Sequence, residues 1–269
     1  MDSTVLFALG LTLFAGLATG IGSFIAFFAS RTNTKFLSVS LGFSAGVMIY
    51  VSMIEIFFKA KDSLTGVHGE TYGYWLTLAG FFGGMIFMAF LDRILPQLGN
   101  PHEVRTVEDM DEGPTNAEYA RLRKMGIFTA LAITIHNFPE GIATFMSAIQ
   151  DPALGVAIAI AVAIHNIPEG IAVSVPIYYA TGSRKKAFQY SFLSGMSEPV
   201  GAIAAWLILM PYLSDTLFGL IFAGVAGIMV FISLDELLPA AKRYDEAHLS
   251  IYGLVAGMAV MAVSLVLIV

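Results

Sequence analysis

Apolar residues along this chain do not alternate with polar ones. They run on in stretches long enough for about 20 residues of helix to cross a ~30 Å hydrocarbon core. A window of about 19 residues predicts eight spans: Thr4–Ala29, Phe36–Phe58, Gly73–Leu91, Met125–Ile149, Ala153–Tyr179, Ala187–Leu213, Leu217–Leu238 and Ser250–Val269. Continuous runs predict helices, because barrel strands would alternate polar and apolar residues in ~10-residue segments. The first span lacks a basic segment ahead of it and exceeds the length of a signal-peptide core, so it reads as a retained helix. The expectation is an all-α integral membrane protein, one transport domain over residues 1–269 with a polar loop at 92–124.

Composition agrees. The chain is 57% hydrophobic and only 13% charged, where soluble domains carry about a quarter charged residues, and its mean hydropathy is +0.77. That excludes a soluble enzyme. A net charge of −6 argues against nucleic acid or an anionic membrane surface as partner, and the absence of cysteine removes disulfides, thiolate nucleophiles and Cys-based zinc sites. Except for Lys59 and Lys61, every Lys and Arg falls in a loop after an odd-numbered span: Arg31 and Lys35; Arg93, Arg105, Arg121, Arg123 and Lys124; Arg184, Lys185 and Lys186; Lys242 and Arg243. By the positive-inside rule those loops are cytoplasmic and both termini lie outside. The acidic run Glu108–Gly113 reads as a solvated linker, with His102 and Glu103 too sparse to fix a cation geometry.

Chemistry concentrates in a near-duplicate. His136-Asn137-Phe138-Pro139-Glu140-Gly141-Ile142-Ala143 lies in the fourth span and His165-Asn166-Ile167-Pro168-Glu169-Gly170-Ile171-Ala172 in the fifth. His and Glu four residues apart share one helical face, one turn apart, and consecutive spans run antiparallel, so the two copies can face each other. Two imidazoles, two carboxylates and two amides suit zinc, iron(II), cobalt(II) or manganese(II). Pro139 and Pro168 each remove a backbone donor, and paired Pro/Gly-interrupted helices are the sequence pointer to a transporter's midplane site. A carboxylate at the bilayer centre costs about 2.5–3.5 kcal/mol on insertion scales, so such residues require compensation. A lone membrane histidine is ordinarily an interhelical hydrogen-bonder; duplicated with Glu at i+4, that reading gives way.

Glu198, within Ser194-Gly195-Met196-Ser197-Glu198-Pro199, is a third carboxylate beside a proline. Glu55 in the second span and Asp235-Glu236 near the end of the seventh mark opposite mouths of a pathway, with a solvated helix end an equal reading for the latter two. Met48 and Met53 can offer thioethers but are expected to be packing, like most of the 13 methionines. Gly80–Gly84 and Gly224–Gly227 read as close helix-packing surfaces. His68, His102 and His248 are expected in loops. The six span carboxylates equal the net −6 in number, so the surplus charge has the sign a cation path requires.

His-Asn-x-Pro-Glu-Gly on two consecutive spans resembles the ZIP family of divalent-metal transporters, and size, span number and the intact double motif are most similar to its bacterial ZupT-type subgroup. The resemblance covers essentially the whole chain. It implies eight helices in a pseudo-symmetric 3+2+3 arrangement, spans one to three against six to eight around the fourth and fifth. It implies metal uptake toward the cytosol without ATP hydrolysis, with metal as cargo and no cofactor, and a possible homodimer in the lipid bilayer of the plasma membrane. Position by position, it assigns His136, Glu140, His165 and Glu169 to a primary metal site and Asn137, Asn166 and Glu198 to a second, with Glu140 and Glu169 able to bridge. Glu55 stands where many relatives have histidine or another polar residue. A passive channel with the same ligands and a membrane metalloenzyme are the alternatives; the second lacks a His-Glu-x-x-His.

Overall fold

In a computed structural model, residues 2–28, 34–94, 116–243 and 248–268 are described, and among them all regular structure is helical. The helices are α1 (Ser3–Phe28), α2 (residues 34–68), α3 (Glu70–Ile94), α4 (Asn116–Gln150), α5 (Pro152–Thr181), α6 (Arg184–Tyr212), α7 (Asp215–Arg243) and α8 (Leu249–Ile268). All but α4 meet a strict test of length and apolarity for crossing a membrane; the first turns of α4 bear Glu118, Arg121, Arg123 and Lys124. Each predicted span corresponds to one helix.

Local chemistry sets the ends. A single residue, Asp151, separates α4 from α5; its carboxylate accepts from the Ala153 and Leu154 amides at 2.9 and 3.4 Å, and Pro152 takes the first helical position. So tight a turn forces an antiparallel hairpin, which brings the two motifs side by side. Gly182, at φ 61°, ends α5, and Ser183 caps α6 through the Lys186 amide. Ser214 does the same for α7 through Leu217.

Three expectations are corrected. The second helix does not stop at Phe58 but continues to His68, so Lys59 and Lys61 ride on it, and Gly69 at φ 79° is the first break. His68 is therefore helical rather than in a loop, its Nε2 2.9 Å from Thr216 Oγ1 on α7. The predicted loop 92–124 is narrower, because α3 runs to Ile94 and α4 starts at Asn116; His102, Glu103 and the acidic run lie outside the described residues. Neither Pro139 nor Pro168 ends its helix; the interruption falls instead at Met196 in α6, directly before Ser197 and Glu198.

The helices pack as two groups. One comprises α1, α4, α5 and α6; the other comprises α2, α3, α7 and α8, and the seam between them is thinner than either interior. Within the first, α1 lies along α5 as α6 lies along α4, and within the second α2 lies along α8 as α3 lies along α7. The parallel extends to single residues. A Cβ on Gly22 of α1 would strike the Ile167 carbonyl of α5, and one on Gly201 of α6 the Phe138 carbonyl of α4. Gly170 likewise presses on the Thr19 carbonyl and Gly141 on that of Glu198. Thus α1–α3 and α6–α8 are equivalent halves, and because matched helices are an odd number of crossings apart they run in opposite directions.

The halves also share an irregularity. α2 contains a π turn at Ser52–Ile56 and α7 one at Ser233–Leu237. Gly42, Gly46, Ser52 and Glu55 of α2 stand in the same register as Ala223, Gly227, Ser233 and Glu236 of α7. A π turn re-aims the side chains that follow it by inserting one extra residue, so both turns govern where these glutamates point. The predicted glycine surfaces of α3 and α7 meet: Gly84 presses on the Gly224 carbonyl and Gly227 on that of Phe81.

Candidate metal site

Within the α4–α5 hairpin the motif side chains are buried. His136 is 2% exposed, Glu140 1% and Glu169 6%, and Asn137, His165, Asn166 and Glu198 are wholly enclosed. Hydrogen bonds cross the hairpin both ways. His165 Nε2 lies 3.1 Å from Glu140 Oε2 and 3.9 Å from Glu169 Oε1. Asn137, with its amide nitrogen turned to the available acceptors, donates to the Ile133 carbonyl at 3.0 Å and Glu169 Oε2 at 3.2 Å. Asn166 donates to the Ala15 carbonyl of α1 at 2.8 Å and to Glu198 Oε1 of α6.

One member arrives from the other helix group. His136 Nε2 lies 3.0 Å from Glu236 Oε1 on α7. Glu236 is 6% exposed, so its reading as a solvated helix end is corrected: it reaches the buried cluster, while neighbouring Asp235 is exposed. The matched Ser-x-x-Glu of α2 and α7 marks both glutamates in the sequence but does not tell which of them reaches the cluster. Glu55 does not mirror it. It is half-buried and paired with Lys59 at 3.5 Å, and Lys59 also stands 3.7 Å from Asp151 at the hairpin tip. Met48 is buried in the apolar core, and Met53 is 38% exposed.

Not every polar atom is satisfied. Glu140 Oε1, Glu198 Oε2 and Asn166 Oδ1 are buried without a hydrogen-bond donor among the described residues. All three are oxygens that only accept, one on each of α4, α6 and α5, and Gly141 against the Glu198 backbone holds α4 and α6 at their closest approach here. Leaving a buried acceptor unmet costs about 1–3 kcal/mol each. A divalent cation satisfies several such oxygens at once, and neutral imidazoles complete a mixed N/O donor set. No three His, Asp or Glu side chains among the described residues already close round one ion position, because the imidazoles and carboxylates bond each other. An ion held by these residues would have to replace those hydrogen bonds, which requires the side chains to turn.

Residues 95–265 match the family model described as ZIP Zinc transporter. Across its whole length the chain is 73% identical to a protein of Lysinibacillus sphaericus (strain C3-41), and 70% identical to one of Oceanobacillus iheyensis, with all of each relative covered. It is 60% identical to one of Clostridium perfringens, over 98% of this chain and 97% of that relative. All three bear the name Zinc transporter ZupT. The chain belongs to the ZIP family. It is thus a multi-pass membrane protein of a transport family and not an enzyme, with divalent metal as its class of substrate. In this ZIP protein the two motif copies lie side by side on the α4–α5 hairpin, and the wholly buried glutamate of α6 stands against them.

Proposed function

We propose that this ZIP protein carries Zn2+ across the plasma membrane into the cytosol through a site built from His136, Asn137, Glu140, His165, Asn166, Glu169 and Glu198. Fe2+, Mn2+, Co2+ and Cd2+ fit the same donors, since N/O sets discriminate weakly among them. The carrying observation is the trio of buried oxygens without donors beside two imidazoles, on three helices. Two complete motifs and Glu198 favour a two-metal arrangement, with Glu140 and Glu169 as bridges. Metal and protons compete for the same carboxylates and imidazoles, which must be deprotonated to ligate, so uptake and proton movement are linked.

Alternating exposure of the site is the movement we assign. It is supported by the two helix groups, with the motif helices in one of them and a thinner seam between. Sliding of α1, α4, α5 and α6 against the remainder would expose the cluster first to one side and then to the other. The excess of Lys and Arg in alternate loops supports an orientation with both termini outside. The test is Zn2+ flux into liposomes containing purified protein. Wild-type flux should saturate at low metal, as a carrier requires and a channel does not, and His136→Ala with Glu140→Ala should abolish it. Flux at the wild-type rate in that double variant would refute the site assignment.

A further inference from the structure

Between the two helix groups lies a crevice of about 740 Å³ with no place in the metal chemistry. Phe138, Pro139 and Ile142 of α4 form one wall and Ile221, Gly224 and Ile228 of α7 another, closed by residues of α3 and α6. Its rim, at Phe87, Leu193 and Val200, is 52%, 65% and 55% exposed. Those rim residues are apolar and lie on α3 and α6, inside stretches long and apolar enough to cross a membrane, which sets the opening at bilayer depth. Among the described residues Thr134 and Ser197 are the only side-chain polar groups lining it, and both hydroxyls already donate to carbonyls of their own helices.

The fold carries a matched crevice in the other half. Ile164, Ile167, Pro168 and Ile171 of α5 face Val39, Ser40 and Phe43 of α2 across about 300 Å³. Its two walls repeat two of the first, motif helix against π-turn helix, without counterparts of the α3 and α6 residues. The register that pairs Glu55 with Glu236 pairs Phe43 with Gly224, so a phenyl ring stands in the small crevice where the large one has no side chain. A Cβ added to Gly224 meets only the Gly80 carbonyl, 3.9 Å away. The space is open.

We infer that the large crevice is a lipid site, holding an acyl chain of a bilayer phospholipid against Phe138 and Pro139, within the motif itself. At the ~30 Å³ scale of a liquid water molecule, the volume admits roughly 25 methylene-sized groups. Water is disfavoured because a buried water needs two to four polar partners, which these walls lack. A hydrocarbon chain needs none, and one entering from the bilayer leaves one apolar setting for another with no polar group to desolvate. The inference requires only that the chain spans a membrane. It stands or falls separately from the metal chemistry.

Brominated-chain phosphatidylcholine is the probe. In a Trp75→Phe, Trp206→Phe background, a tryptophan placed by Ile221→Trp reports the crevice, one placed by Phe138→Trp reports its opposite wall, and Phe222→Trp reports the fully enclosed core behind it. In liposomes of the brominated lipid, emission from both crevice positions should be quenched at least threefold more than from the core position. Acrylamide, an aqueous quencher, should leave them unchanged, and Gly224→Phe should return the Ile221→Trp signal to the core level. Crevice positions quenched no more than the core would mean a closed or protein-filled space. Preferential quenching by acrylamide would mean water. Either result overturns the inference.

Discussion

The π turn of α7 and the π turn of α2 begin alike and end differently. Both open on a buried serine and carry a glutamate at the fourth position, yet Glu236 is packed against His136 while Glu55 leans to Lys59 near the hairpin tip. Toward the start of α7 the seam holds a wide crevice, and in the other half Phe43 lines a narrower one. Equivalent halves in inequivalent settings are what a carrier with two related arrangements would present in one of them. The difference therefore locates function in the places where the repeat is broken, and the chief break is Glu198, whose counterpart on α1 is Thr19.

Making the halves alike at that point should have the largest effect. Glu198→Thr removes the carboxylate that accepts from Asn166. Loss of a supporting partner of a metal ligand costs ~10–100-fold in affinity or activity, so loss of a ligand should lower Zn2+ flux by at least ~100-fold, read in liposomes. Next comes the glutamate pair. Glu236→Ala strips His136 of its partner across the seam and should reduce flux by about 10–100-fold. Glu55→Ala, which removes a half-exposed ion pair, should stay within about threefold. Equal losses from the two would erase the comparison.

Packing offers a sharper and smaller contrast. Gly141→Ala and Gly170→Ala push a methyl into the Glu198 and Thr19 carbonyls, and overpacking of this kind costs about 1–3 kcal/mol. Both should lower the thermal midpoint of the purified protein. Gly224→Ala, with open space around its Cβ, should remain within about 0.5 kcal/mol of wild type. Smallest of all, Lys59→Gln releases two ion pairs at 3.5 and 3.7 Å between partly exposed groups. Pairs of that kind contribute about 0–1 kcal/mol, so flux should change by no more than about twofold and less at high salt.

These contrasts also mark what can be read from a string of residues. The eight helices were legible because an apolar run of membrane length has one outcome in lipid, and the hairpin because the motif repeats on both sides of one turn-forming residue, Asp151. The ends were not. The second helix continues to His68 because a helix outlasts the hydrocarbon until something breaks it, and Gly69 is that residue. Glu236 was visible as a carboxylate but not as a partner of His136, because contact between positions so distant in sequence depends on how α4 and α7 cross. The 3+2+3 arrangement entered through family resemblance, and the two-group packing only with the structure, since residue spacing carries no record of which helices share a neighbour.

The metal site itself is tested most directly by the bonds around a bound ion. X-ray absorption at the zinc edge, on purified protein with stoichiometric Zn2+, should show imidazole nitrogen in a first shell at about 2.0–2.1 Å. His136→Ala with His165→Ala should leave oxygen donors alone. An imidazole signature that survives in that variant, or one missing from the wild type, would contradict the assignment of these two histidines to the metal.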